Sequence, residues 1–355
     1  MAESAALPVE DVRLIRALQI TPRGSFATIA AALGVTEAAV RRRYRRLRAD
    51  GVIRVVGVVD PGALGQSEWM VRLRCRPGSV AAIADALARR DDVSWVSLGA
   101  AGTEISCAVR SRTPEQRDDL LGRRLPRTAA VIDINAAAML RQFIGGRGHY
   151  WAALNGTLTR QEEAMLGADG VPFVESPVVS RVPVDLSPAD ERLLAVLATD
   201  GRASLVDLAD AAGLTPGRAS RRLDALLDHR AVHLDVEISA VALGYHARAN
   251  LLLRFHPSAV KTAGRTLAQL PEIAFAAAVS GPYNIQAVAH CRDLDELFEF
   301  TSERVGSLAG LQSMEVSPIL KQIKQAGTLL AGDRLIDPAP EPPSVMTRKV
   351  PSLSS

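Results

Sequence analysis

The stretch Thr36-Glu-Ala-Ala-Val-Arg-Arg-Arg-Tyr-Arg-Arg-Leu-Arg-Ala-Asp-Gly51-Val-Ile-Arg54 decides how this chain is read. Thr36 is a helix-capping residue type, and Val40, Tyr44 and Leu47 recur at the i, i+4, i+7 positions of one helical face. Arg41, Arg42, Arg43, Arg45, Arg46 and Arg48 surround that apolar stripe, with only Glu37 and Asp50 as acids in the stretch. Upstream, Leu33-Gly34-Val35 supplies a glycine turn after another short helical pattern. This is the order of a helix-turn-helix, which lays the N-terminal half of its second helix in a DNA major groove while arginines hold phosphates. Residues 36–48 are therefore expected to form a recognition helix, with Thr36, Glu37, Arg41, Arg42, Arg43, Arg45 and Arg46 facing double-stranded DNA.

The whole molecule is not a polycation. Its 355 residues carry a formal net charge of +3, so the basic cluster is local. Lysine occurs only at positions 261, 321, 324 and 349, a bias toward arginine that a GC-rich genome also produces. At 48% hydrophobic and 23% charged, the chain can bury substantial cores and should form at least two domains. It has no apolar run of membrane-spanning length, and its first residues lack a basic region followed by an apolar one, so no membrane partner and a cytoplasmic location are expected. Cys75, Cys107 and Cys291 are far apart and form no CxxC pair, so they read as core thiols rather than disulfide or zinc ligands.

The chain is written twice. Asp190-Glu-Arg-Leu-Leu-Ala-Val-Leu197 echoes Asp11-Val-Arg-Leu-Ile-Arg-Ala-Leu18, a displacement of 179 residues. The same displacement aligns Arg23 with Arg202, Gly34 with Gly213, Thr36 with Thr215, and Arg42 and Arg43 with Arg221 and Arg222. With one inserted residue it carries Ile105 onto Ile285 and Leu140-Arg-Gln142 onto Leu320-Lys-Gln322. The second recognition helix would present Thr215, Arg218, Arg221 and Arg222 to DNA. It also carries Asp224 and Asp228 and has Arg230 where the first copy has Gly51, so its contact should be weaker or differently specific.

Each unit begins with three helices, the first at about 9–20 and 187–199, the second starting at Ser25 and Ser204 and the third at Thr36 and Thr215, followed by short strands in 52–59 and 232–238 that would form a hinge. Beyond the hinge the period changes. Val71, Leu73 and Cys75 alternate with Arg72, Arg74 and Arg76, the mark of a strand with one dry face. Strand, helix, two strands, helix and strand then follow in both copies, the βαββαβ order of a ferredoxin-like sandwich whose bare sheet face needs a partner. The expected boundaries are helix-turn-helix domains at 1–60 and 185–240 and βαββαβ domains at 61–144 and 241–332. Between them lies a linker with a short helix at 145–184, and a Pro-rich disordered tail covers 333–355.

This order of parts resembles the leucine-responsive regulatory protein / AsnC family, the feast/famine transcription regulators of bacteria and archaea; a bacterial source is expected. The resemblance rests on Asp11-x-x-Leu14-x-x-x-Leu18, Ala30-x-x-Leu33-Gly34-Val35-Thr36, Val40-x-x-Arg43-x-x-x-Leu47-x-x-x-Gly51-x-Ile53 and the loop Val279-Ser-Gly-Pro-Tyr-Asn284. It implies an α+β protein with two helix-turn-helix (winged-helix-like) DNA-binding domains and two ferredoxin-like βαββαβ (RAM/ACT-like) effector domains. It further implies face-to-face pairing of the sheets, here within one chain acting as a pseudo-dimer, self-association of such pseudo-dimers, and a small effector, an amino acid or related metabolite, at the interface. The effector residues it points to are Gly281, Pro282, Tyr283 and Asn284, with Gly102, Thr103 and Glu104 in the first copy. Glu104 stands where the second copy has Asn284, which makes the second loop the better pocket wall.

No cofactor, metal or catalytic residue is expected. His229 and His233 are four apart, but the helix should end before them. His149, His246, His256 and His290 read as surface or strand-end residues, Trp69, Trp95 and Trp151 as core, and Asp293-Leu-Asp-Glu296 as a helix cap. Siroheme decarboxylases share this paired architecture and use histidine and arginine of the βαββαβ half, and that enzyme class is the alternative. Against it, no histidine beside a basic residue is evident near Tyr283-Asn284, with His290 alone close by. A third possibility is an effector sensor without DNA binding.

Overall fold

The computed structural model describes residues 7–99, 102–144, 151–167 and 183–336. Ala101, the Gly145–Gly148 stretch, His149, most of the linker and the residues from 337 onward lie outside these.

The first unit opens with α1 (Val9–Ile20), α2 (Phe26–Leu33) and α3 (Glu37–Ala49). The Ser25 side chain caps α2 by accepting from Thr28 N at 3.0 Å, and Gly34 ends it at φ 68°, a left-handed conformation that glycine takes without steric cost. Thr36 caps α3 through Ala39 N at 3.3 Å. Leu14, Ile15 and Leu18 bury against Ile29, Leu33, Val40, Tyr44 and Leu47. Each such large side chain contributes about 1.5–3 kcal/mol on burial.

Then follow β1 (Ile53–Val59), β2 (Ser67–Cys75), α4 (Val80–Ala88), β3 (Val93–Gly99), β4 (Glu104–Ser111), α5 (Pro114–Asp119) and β5 (Val131–Ile144). Next comes α6 (Arg160–Met165), in the segment read from sequence as a linker. Leu154, Leu158 and Leu166 around it are part of the first helix-turn-helix core, and Arg16 binds Glu163 at 2.8 Å, so this stretch is packed structure.

The second unit repeats the plan with α7 (Pro188–Thr199), α8 (Leu205–Ala212), α9 (Pro216–Asp228), β6 (Val232–Ile238), β7 (Ala247–Phe255), α10 (Val260–Leu267), β8 (Ile273–Val279), β9 (Ile285–Cys291), α11 (Leu294–Glu299) and β10 (Leu311–Gln322). Ser187 with Asp190 and Ser204 with Asp207 form capping boxes on α7 and α8. Asp293 caps α11, as its sequence position predicts.

The two copies are joined by their strands. β1 pairs antiparallel with β6 from Ile53↔Ile238 to Val59↔Val232, so the hinge is a ladder between copies. The two βαββαβ sheets close into one eight-stranded barrel in the order β10-β3-β4-β2-β5-β8-β9-β7. β5 runs on from its own sheet to pair with β8, and β10 pairs with both β7 and β3. Phe143, near the end of β5, is buried in the second unit's core. A Cβ on Gly264 of α10 would lie 2.2 Å from its ring, so this crossing requires glycine. Closure leaves the sheets without free edges and turns their bare faces inward.

The last elements among the described residues are the short strands β11 (Lys324–Gln325), β12 (Thr328–Ala331) and β13 (Arg334–Leu335). Leu335 N donates to Gly51 O at 2.9 Å, and a Cβ at Gly51 would meet Leu335 O at 2.7 Å. The expected disordered tail therefore does not begin at Asp333: residues 333–336 are held by backbone pairing to the hinge.

Candidate functional site

Two features of this architecture can do chemistry: the exposed face of the recognition helices and the cavity inside the barrel. On α3, Glu37, Arg41, Arg42 and Arg45 are exposed and line a shallow groove, while Val40, Tyr44 and Leu47 face the core. Arg41 pairs with Glu37 one turn away. The other predicted contacts are engaged elsewhere. Arg43 reaches Asp11 at 3.5 Å and Glu10 at 3.7 Å, and Arg46 pairs with Asp11, whose side chain is buried. Arg222 of α9 likewise pairs with Asp190, buried at the matching position of α7. Asp190 also accepts from Ser187 N and Oγ at 2.8 and 2.7 Å, and these bonds, with Arg222 the largest cause, hold its carboxyl down at about 2. These arginines brace the helix against the first helix of its own domain. Arg218 and Arg221 are exposed, and Thr215 gives no side-chain cap.

A reciprocal clamp fixes the two readers relative to each other. Arg23 donates to the carbonyls of Gly201 and Ala203 at 2.7 and 2.8 Å, and the equivalent Arg202 donates to those of Pro22 and Gly24. Arg202 also lies 4.5 Å from the centre of the Phe26 ring, and Arg48 pairs with Asp200 at 2.7 Å. Both readers are thus presented as one body.

The predicted effector loops meet each other but not the cavity. Tyr283 donates to Glu315 at 3.0 Å, and Arg72 bridges Glu315 and Glu104 at 2.6 and 2.8 Å, so one network joins the loop residues Glu104 and Tyr283. Asn284 fastens its own strand: its side chain accepts from Phe255 N at 2.9 Å and donates to Phe255 O at 2.8 Å. Thr103 accepts from Cys75 N through its carbonyl at 3.0 Å. Gly102 and Gly281 sit at φ 82° and 104°, and Pro282 is exposed.

The cavity, of about 240 Å³, is enclosed by both βαββαβ units and the hinge ladder. Its walls are apolar where Met70, Met139, Trp95, Trp151 and Phe275 reach it, and polar where Asn250, Gln142, Gln286 and Gln322 do. Of its charged or titratable lining groups, which also include Asp60, His233 and Asp235, four stand in two register pairs. Glu68 of β2 lies opposite Arg110 of β4, and, displaced by 180 residues, Arg248 of β7 lies opposite His290 of β9. His290 is therefore neither a surface residue nor without a basic neighbour. Burial and, secondarily, Arg248 push its ring down to about 3, so it is neutral at physiological pH. Its Nδ1 and the Arg248 Nε are buried without a hydrogen-bond partner.

Trp95 is not core either. It is 47% exposed and sits at φ 53° in a bulge of β3, which turns its ring to the cavity. Trp151 donates to Pro271 O at 2.7 Å and packs edge-on against His290 at 4.9 Å. All three cysteines are buried free thiols, and burial pushes Cys107 and Cys291 up to about 12, which makes neither a nucleophile. Among the described residues no group of three or more His, Cys, Asp or Glu could hold a metal, and no helix is long and apolar enough to cross a membrane.

Comparison with known proteins agrees with this division of parts. Residues 11–48 and 186–227 match the AsnC-type helix-turn-helix domain, and residues 249–329 match the Lrp/AsnC ligand binding domain. An uncharacterized HTH-type transcriptional regulator of Pyrococcus abyssi is 28% identical over 145 residues, 41% of this chain and 91% of that protein. The HTH-type transcriptional regulator FL11 of Pyrococcus horikoshii is 25% identical over 150 residues, 42% of this chain and 97% of that protein. Both organisms are archaeal, so these relatives lend no support to the bacterial source expected from the resemblance. Each is matched nearly whole by about two-fifths of this chain, which is what a duplicated unit requires. The crystal structure of the siroheme decarboxylase NirDL superposes with a TM-score of 0.59 over 89% of this chain and 92% of its own, at 13% identity, a likeness of fold. With two readers, a ligand-binding domain and paired units in one polypeptide, the chain belongs to the Lrp/AsnC family as a tandem duplication.

Proposed function

We propose that the protein is a sequence-specific DNA-binding transcriptional regulator that reads DNA mainly through α3 of the first copy and responds to a small metabolite held between its two βαββαβ units. The observation that carries this reading is the exposed Arg41, Arg42 and Arg45 face on the second helix of a capped helix-turn-helix, held in fixed relation to the second reader by the Arg23 and Arg202 clamp. Thr36, Glu37, the exposed Arg46, and the exposed Arg218 and Arg221 of α9 complete the surface offered to DNA, whereas Arg43 and Arg222 also brace their helices through Asp11 and Asp190. The effector belongs in the barrel cavity, between the units, where buried polar atoms lack partners. The loops at Gly102–Glu104 and Gly281–Asn284 tie the units together at the rim.

Fluorescence anisotropy on DNA from the protein's own upstream region tests this. Replacing Arg41, Arg42 and Arg45 with alanine should weaken binding and reduce the slope of log K against log salt by about 3, since each phosphate contact contributes about 0.9. Binding and slope equal to those of the unmodified protein would end the assignment of α3.

A second reading, a siroheme-decarboxylase-like enzyme, is favoured by one observation, the enclosed Arg248–His290 pair. A tetrapyrrole exceeds a drug-sized ligand, whose sites span about 300–1,000 Å³. The 240 Å³ cavity would have to widen to admit it. Incubation with siroheme, followed by absorbance and carbon dioxide release, separates the two readings.

A further inference from the structure

The two halves of the cavity are related by the internal duplication, and the difference between them indicates what the cavity holds. Trp95 and Phe275 occupy equivalent positions and bring an aromatic ring to the cavity from each unit. The polar pairs do not repeat in charge. Glu68 faces Arg110, an acid against a base, so the first unit's pair is internally compensated. At the same positions of the second unit stand Arg248 and His290, with no acid between them. Arg248 is largely buried, and its one ion pair among the described residues runs outward, to the half-exposed Asp333 at 3.3 Å. Its Nε is buried and unbonded, as is Nδ1 of the facing His290.

An unmet buried donor costs about 1–3 kcal/mol, and more when it is charged, so a folded protein retains such a group where something else satisfies it. A guanidinium Nε–H and an imidazole N–H across one ladder rung suit a carboxylate, which accepts one bond on each oxygen. The flanking walls, Trp95, Phe275 and Trp151, suit a flat apolar body, and 240 Å³ lies below the range for drug-sized ligands.

We propose that the cavity binds a small aromatic carboxylate, its anion on Arg248 and His290 and its ring between Trp95 and Phe275. This rests on the reading that the effector lies between the units, and it names the effector's chemistry. The carboxylate completes the hydrogen bonds of the second unit's pair. The compensated Glu68–Arg110 pair repels a second anion with its acid, so one ligand binds in one orientation despite the internal symmetry.

The test is a titration of the full chain, without DNA, with indole-3-acetate and benzoate, each against its neutral amide (indole-3-acetamide, benzamide), read by tryptophan fluorescence and by calorimetry. Two of the three tryptophans, Trp95 and Trp151, line the cavity, so binding should change the emission. At least one acid should bind, its amide should bind at least tenfold more weakly, and Arg248→Met should weaken the acid about 10- to 100-fold while leaving the amide unchanged. Arg248→Lys, which keeps the charge but loses the planar fork, should fall between. Circular dichroism and thermal unfolding confirm that each variant is folded. If Arg248→Met does not fold, His290→Phe carries the same comparison. Equal affinity for acid and amide, an Arg248→Met or His290→Phe protein that binds the acid normally, or no binding of either acid at millimolar concentration would overturn the proposal. DNA binding measured without ligand stands apart from every one of these outcomes.

Discussion

Replacing Glu237 with glutamine should make the protein more stable, and only at neutral to alkaline pH. Glu237 lies in β6 opposite Arg54 of β1, buried beneath the C-terminal strands. The Thr328 hydroxyl donates to one of its oxygens, while Oε1 has no partner. Arg54 gives hydrogen bonds to the carbonyls of Ile336 and Thr199. Burial raises the carboxyl from its ordinary 4.5 to about 8, with Thr328 and Arg54 only partly opposing the shift. Between those two values the folded protein holds a proton that the unfolded chain has released, so stability falls as pH rises across that window and is level above it. At about 1.36 kcal/mol per pH unit, the loss amounts to a few kcal/mol. Glutamine has the shape of the protonated acid and no charge to desolvate. The variant should therefore match the unmodified protein near pH 5 and exceed its Tm by a few °C at pH 8.5. Thermal unfolding followed by circular dichroism from pH 5 to 9 measures the difference directly. A Tm difference that does not grow with pH, or a variant that is weaker at pH 8.5, would refute the claim that this carboxyl is held protonated.

Asp190→Asn should act in the opposite sense. The Asp190 carboxyl is held at about 2, below its ordinary 3.8, so its stabilisation is present above about pH 4 and disappears as pH falls through 2. The variant should lose about 2 kcal/mol in denaturant titration at pH 7 and little near pH 2. Arg230→Gly addresses strain, because Arg230 holds φ 58° where the first copy has Gly51 at 67°. An L-residue in that region costs about 1–2 kcal/mol, offset in part by the greater unfolded-state entropy of glycine, so a net gain of about 0.5–1 kcal/mol is expected in the same titration.

The elements of the fold were legible because their signals are local. Thr36 and the run Asp293-Leu-Asp-Glu296 marked helix starts within a few residues, and the alternation of Val71, Leu73 and Cys75 marked a strand. The partners of those elements were not legible, since pairing between copies is a long-range choice. Nothing in 52–59 or 232–238 taken alone says that the two segments form one ladder. The run of β5 past Ala138 into the second unit depends on Phe143 fitting against Gly264, a contact between residues far apart in the chain. Trp95 was misread because a bulge, not composition, turns it from the core.

Two features of the sites had signals in the sequence that went unused. Asp11 and Asp190 recur at the same displacement as Arg43 and Arg222, so an acid at matching spacing was available in both copies to pair with those arginines. Arg248 and His290 both fall on the wet phase of their strands, against Ala247, Ala249 and Leu251 and against Ala287 and Ala289, so alternation alone placed them on the inward face. Under the proposed function, the copies have divided the work. The first keeps exposed arginines on its reader and an acid–base pair in the cavity, while the second sets Asp224 and Asp228 on its reader and brings to the cavity a cation whose buried Nε has no hydrogen-bond partner. Neither half then suffices, and the path between them is short. Val58, Val59, His233, Asp235 and Val236 of the hinge ladder line the cavity wall, directly below both readers. A ligand alters DNA affinity only in so far as it binds one arrangement of that ladder better than another. The hinge, not the Arg23 and Arg202 clamp that makes the readers one body, is where that difference must arise.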